Sequence, residues 1–267
     1  MTQSLALMLR QLRLPTFEEC AQHVAIEAER SGWSFVQYLH HLTEMELDSR
    51  RQNRVMRQLR ASQLPPDKTL ATLQRDLLPL AVQKKLPDIC SRQIVDKARN
   101  VLVFGLPGRG KTHLLAAIGY ELIEQGCRVL FVPAYRLVQR LLAAKDALRL
   151  EKELKKLDLF DTVIVDDIGY IQQNRDEMEV LFTFLAERYE RRSVFISSNL
   201  VFSQWDRIFK DPMTTAAAID RLVHHAVILE LVGPSYRTES AKGGDSTTKE
   251  VKPDQENANK TSKQETK

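Results

Sequence analysis

A five-residue apolar run, NVLVF at positions 100–104, leads directly into GLPGRGKTHLL at 105–115. No other stretch restricts the possible folds of this 267-residue chain so tightly. Gly105, Gly110, Lys111 and Thr112 satisfy the G-x-x-x-x-G-K-[ST] spacing, in which glycines let the backbone wrap an anion with its N–H groups. A helical run, THLLAAIGYELI, follows, so its positive N-terminal end would face the same anion. The loop residues Gly105, Leu106, Pro107, Gly108, Arg109 and Gly110, with Lys111, Thr112 and His113 opening the helix, are therefore expected to cradle a nucleoside triphosphate. Lys111 would bridge the terminal phosphates and the Thr112 hydroxyl would ligate Mg2+. Arg109 is an unusual occupant of such a loop, where the position contributes mainly backbone.

Fifty-five positions beyond Lys111, the run TVIVDD (162–167) ends in two carboxylates. At the tip of a buried strand, Asp166 is expected to hold the metal and Asp167 to orient and polarise the attacking water. The run SVFISSN (193–199) finishes in polar residues. Asn199 at its tip can hydrogen-bond the water or the γ-phosphate, or serve as a helix cap or turn residue.

Two further apolar runs, RVLFV (128–132) and AVILEL (226–231), complete a set of five separated by helical stretches. Fully apolar strands alternating with helices predict an α/β fold with a five-stranded parallel sheet covered on both faces. Residues 1–66 contain no strand-like run, and Phe35, Leu39, Leu42 and Met45 recur at helical spacing. A small all-helical N-terminal domain is therefore expected over 1–66, ending at the Pro65–Pro66 pair, which cannot continue a helix. Residues 67–99 read as a linker with lead-in helices, 100–237 as the nucleotide-binding domain, and 238–267 as a disordered polar tail with almost no apolar content.

The formal charge of +4 permits nucleic-acid binding without demanding it. Two basic stretches are candidates. RRQNRVMRQLR (50–60) places Arg50, Arg54 and Arg57 near one helix face, although EMELD just upstream can instead pair with a solvated face. The stretch 135–156 carries Arg136, Arg140 and Lys145 among acids. Neither has the base-reading features that would imply sequence specificity, so any nucleic-acid contact is expected to be to phosphates. The three cysteines form no paired framework or zinc spacing, which favours reduced thiols and a cytoplasmic location. No apolar run approaches the ~20 residues of a membrane span. The pairs His40–His41 and His224–His225 have no Cys or acidic metal spacing, and Trp33 and Trp205 read as packing anchors.

Taken together, GLPGRGKTHLL, TVIVDDIGY, SSNLVFSQWDRIF and DPMTTAAAIDRLVHH resemble the IstB family, AAA+ ATPases encoded beside bacterial insertion-sequence transposases and related to DnaC-type helicase loaders. The resemblance spans roughly residues 12–237 and includes the helical leader. It implies a P-loop AAA+ core and an ATP-hydrolysing homo-oligomer with shared ATP sites, which assembles on DNA and delivers it to the transposase of the same insertion sequence. It also implies that Asn199 acts as sensor and that Arg221, on the helical stretch before the last strand, reaches a neighbouring subunit's γ-phosphate. The stretch 135–156 would face the channel of the oligomer. The strand after Arg221 leads within about fifteen residues into the polar tail, too short a stretch for the multi-helix lid of many AAA+ proteins, which leaves a sensor role for Arg237 without support. A replicative helicase loader is the nearest alternative, sharing the core chemistry but gripping a helicase with its N-terminal segment.

Overall fold

The apolar runs become five strands of one sheet: β1 (Asn100–Phe104), β2 (Val129–Pro133), β3 (Thr162–Asp166), β4 (Ser193–Ser198) and β5 (Ala226–Glu230). Their spatial order is β2-β3-β4-β1-β5, with every neighbouring pair parallel. This computed structural model describes residues 3–170, 175–205, 208 and 211–232. The expected polar tail over 238–267, and Arg237, lie outside them.

Parallel pairing requires a crossover between successive strands, and helices supply it. Helix α6 (Lys111–Glu124) joins β1 to β2, and α7 (Ala134–Asp146) with α8 (Leu150–Leu157) joins β2 to β3. Helix α9 (Arg175–Arg188) precedes β4, and α10 (Pro212–Val223) precedes β5. Successive strand residues point to opposite faces, so each strand feeds two cores. Val101 and Val103 of β1 pack with α6 residues Leu114, Leu115, Ile118 and Leu122. Leu102 and Phe104 pack on the other face with Leu137, Leu141, Phe184 and Leu222 from α7, α9 and α10. Each such fully buried side chain contributes about 1.5–3 kcal/mol, which is why an unbroken apolar run marks a strand of this kind.

Two polar side chains tie the layers together. Asn100 is buried; its amide donates to the Leu222 carbonyl and its oxygen accepts from the Val194 N–H, joining β1 to α10 and β4. Arg188, 1% exposed, donates to the carbonyls of Leu157, Phe160 and Ser193, fixing the end of α9 against the approaches to β3 and β4. Burial pushes its guanidinium down to about 10, still charged at neutral pH.

Ahead of the sheet come α1 (Gln3–Gln11), α2 (Pro15–Ser31), α3 (Phe35–Ser62), α4 (Leu80–Ile89) and α5 (Arg92–Asp96). Ser34 and Gln37 form a reciprocal capping box that starts α3. At 28 residues α3 is about 42 Å long, enough to reach from one cluster to another. Its first half packs on α2 through buried Leu42, while Val55 and Leu59 in its second half join the core beside α6. The chain turns away at Leu64 and Pro65, as the proline pair predicts. Gly119 of α6 is the counterpart of that turn: a Cβ there would lie 2.9 Å from the Leu64 side chain and 3.0 Å from Ile164. Glycine at 119 permits the lead-in segment to lie against the core.

Candidate nucleotide site

The glycine loop sits where β1 ends, between β4 and β5. Gly108 and Gly110 take φ values of 82° and 79°, the left-handed region that side chains disfavour. At Gly105 the constraint is space: a Cβ would stand 2.8 Å from the Leu231 carbonyl oxygen at the end of β5. Lys111 is buried, and its ammonium donates to the carbonyls of Gly105 at 2.9 Å and Leu106 at 3.2 Å. The loop thus curls around its own lysine, which holds a cation at the mouth of α6.

Thr112 donates at 3.0 Å to both carboxylate oxygens of Asp166, which is buried at the tip of β3. Ser197 of β4 adds a 2.6 Å bond to Asp166 Oδ1, and the same hydroxyl accepts the Asp167 N–H at 2.8 Å. Ser197 therefore fixes both acids. Nothing in the sequence reading singled it out. The signal was present, a serine pair closing an otherwise apolar strand, but its partner lies 31 residues away. Asp167 adopts φ 57°, a left-handed conformation that aspartate tolerates better than most residues and that recurs at functional sites.

An open cavity of about 310 Å³ runs along this loop, and Lys111, Thr112, His113 and Asp167 all line it. Lys68 and Leu73 of the lead-in segment close one side. His113 explains how that segment is held: its Nε2 lies 3.1 Å from both the Thr72 hydroxyl and the Thr69 carbonyl. Arg109 lines the same cavity while donating to the Leu231 carbonyl at 3.3 Å, so the unusual loop arginine is tied to the strand end beside it.

Asn199 follows the end of β4 and does not line this cavity. A Cβ on Gly169 would fall 2.0 Å from Asn199 Oδ1, so any side chain there would push the Asn199 amide aside. That oxygen is buried and has no hydrogen-bond partner among the described residues. Arg221 also stays outside the cavity of its own chain. Its guanidinium stacks over Phe182, 4.8 Å from the ring centroid, and donates to the Ala217 carbonyl.

The basic candidates separate into two groups. Arg50 pairs with buried Glu46 at 2.7 Å and also donates to the Arg13 carbonyl. Arg140 pairs with Glu153, and Lys145 with both Asp176 and Glu179. Arg54 and Arg57 instead stand exposed beside Arg128, around a cleft of about 250 Å³ between α3 and the start of β2. Arg136 is exposed on α7, with its guanidinium 5.8 Å from the Tyr135 ring.

The donor set suits a triphosphate with a hard divalent cation: an ammonium among loop amides, and a hydroxyl beside a buried carboxylate. Lys111, Thr112 and Asp166 are the residues that would hold them. A five-stranded parallel sheet of this order, with this loop after β1, between β4 and β5, defines a P-loop nucleotide-binding protein of the AAA+ class. Within that class the chain belongs to the IstB-like ATP binding protein family, whose sequence pattern matches residues 7–243. An insertion-sequence ATP-binding protein of Sinorhizobium fredii is 44% identical over 238 residues, 89% of this chain and 80% of that protein. The IS21 ATP-binding protein of Pseudomonas aeruginosa is 32% identical over 249 residues, covering 93% and 94%. Among solved structures, AMPPCP-bound DnaA from Aquifex aeolicus shares the fold, with TM-score 0.54, 17% identity, and coverage of 68% of this chain and 56% of that one. No helix among the described residues is long and apolar enough to cross a membrane.

Proposed function

We propose that this protein is an ATP-hydrolysing, DNA-binding regulator of transposition, which oligomerises on double-stranded DNA and presents it to the transposase of its insertion sequence. The observation that carries the reading is the Thr112–Asp166–Ser197–Asp167 chain of hydrogen bonds. It joins a magnesium-type donor pair to a second carboxylate facing the cavity, in a chain of the insertion-sequence ATP-binding family. When bound, Mg2+ supplies charge neutralisation for the phosphates. Asp167 accepts the proton of the attacking water, Lys111 stabilises charge on the terminal phosphoryl oxygens, and Asn199 steadies the segment after Asp167 as sensor.

Arg54, Arg57 and Arg136 are the cations that exposure leaves available to DNA phosphates. Arg50, Arg140 and Lys145 are held in ion pairs with Glu46, Glu153, Asp176 and Glu179 and contribute by orienting their helices. Arg221 acts on the ATP site of a neighbouring copy. The experiment is phosphate release and DNA association measured together. Wild type should bind duplex more tightly with Mg2+ and ATP, and should retain the transposase of its element in pull-down. Lys111→Ala should lose nucleotide binding and the ATP-stimulated part of DNA binding together. ATP-independent DNA binding by wild type would refute the coupling, and selective retention of a replicative helicase would move the protein to helicase loading.

A further inference from the structure

The sequence reading left His224–His225 without an acidic neighbour, because none lies at metal-ligand spacing. The fold supplies one. Glu190, in the turn between α9 and β4, brings its Oε1 to 3.7 Å from His224 Nδ1 and 3.7 Å from His225 Nε2. One ligand atom from each of the three residues lies within 4.8 Å of the others. Among the described residues no other group of three histidine, cysteine or acidic side chains converges in this way.

We propose that Glu190, His224 and His225 form a binding site for a divalent transition-metal ion, with zinc as the ion it fits. The inference stands on these residues alone and does not depend on the ATPase reading. Two imidazoles and one carboxylate are the donor set of zinc and its neighbours, whereas Mg2+ and Ca2+ take oxygen ligands. The site is therefore chemically distinct from the Thr112–Asp166 pair. Zinc bonds of about 2.0–2.1 Å in a tetrahedron put ligand atoms about 3.4 Å apart, so binding shortens the two 3.7 Å carboxylate–imidazole separations by a few tenths of an ångström and draws in a set that now lies within 4.8 Å. The two imidazoles lie against each other, with centroids 4.1 Å apart and planes tilted by 37°. A water would complete the coordination, since all three residues are exposed.

The supports are fixed by backbone rather than by loose loops. Glu190 holds φ 56°, turning its side chain back toward α10 two residues after Arg188 anchors the end of α9. His224 caps α10 and bonds its N–H to the Asp220 carbonyl. The His225 carbonyl accepts the Asn100 N–H at the foot of β1. The Tyr189 hydroxyl lies 2.8 Å from His224 Nδ1, the nitrogen that faces Glu190, so an arriving ion must displace this hydrogen bond. Occupancy would clamp the end of α9 to the end of α10, one turn from Arg221.

The test uses full-length, untagged, metal-stripped protein titrated with Co2+ as a spectroscopic probe, followed by Zn2+. The expectation is one Co2+ per chain with tetrahedral-type visible absorption, displaced by Zn2+ but not by Mg2+, and a higher melting temperature with Zn2+. Glu190→Gln and His225→Gln should each weaken binding by at least ~tenfold and abolish the melting shift. His40→Gln with His41→Gln should change neither. Exposed positions make these variants mild for folding, and unchanged melting without metal confirms it. Absent micromolar binding, a thiolate charge-transfer band, or equal binding by the Glu190 and His225 variants would each overturn the site.

Discussion

Asp167 and its neighbour Asp166 are adjacent in sequence yet set in different surroundings. Asp166 is buried and accepts from Thr112 and Ser197, so its charge is committed to the loop. Asp167 is offered to the cavity by a left-handed backbone that Ser197 pins through its N–H. Because asparagine shares aspartate's tolerance of that conformation, Asp167→Asn removes the base with little change to the backbone. Turnover should fall about 10²-fold or more, while ATP binding and ATP-stimulated assembly persist. Phosphate release beside nucleotide-binding titration checks this, and wild-type turnover would take Asp167 out of the chemistry. Ser197→Ala is the companion case: it unties both acids, so nucleotide affinity and turnover should fall together.

Glu46 shows at the scale of a helix why some of the fold was legible and some was not. The loop, the strands and the start of α6 were readable because glycine spacing and apolar runs are local signals. The helical spacing of Phe35, Leu39, Leu42 and Met45 also gave α3 correctly, but only Leu42 is buried, while Phe35 is 93% exposed. The polar residue Glu46 is buried in the same helix, where it accepts from Arg50 and from the Thr16 N–H of α2. Ser197, Lys68, Leu73 and Glu190 owe their places to partners far away in the chain, which no periodicity encodes. Burial works to raise the Glu46 pKa, yet the Arg50 and Thr16 hydrogen bonds outweigh it and the carboxyl lies below its ordinary value. A depressed folded-state value means stability that is present above the ordinary glutamate pKa of about 4.3 and lost as pH falls through the folded value. Glu46→Gln should therefore destabilise the protein at pH 7, with the deficit shrinking below about pH 4.3. Denaturant melts of both proteins at the two pH values measure it, and a deficit independent of pH would show that the charge contributes nothing.

At the scale of the whole molecule, the position of Arg221 decides whether one chain is sufficient. It stacks on Phe182 and does not line the cavity holding Lys111 and Asp167, so its proposed role requires a second copy. Arg221→Ala should lose turnover by about 10³-fold while a single chain's nucleotide affinity stays near wild type. A direct discriminator is a mixture of two inactive variants. Lys111→Ala keeps a sound arginine but has a ruined loop, and Arg221→Ala keeps a sound loop but lacks the arginine. Head-to-tail contacts between the two then rebuild intact sites wherever the loop of one meets the arginine of the other. With equal amounts and random assembly this occurs at about a quarter of the contacts, so the mixture should recover about a quarter of wild-type turnover. If Arg221 served its own chain's site, no arrangement of the two variants could restore one. A mixture as inactive as its components, under conditions where the two variants are shown to co-assemble on DNA, would place the shared site in error.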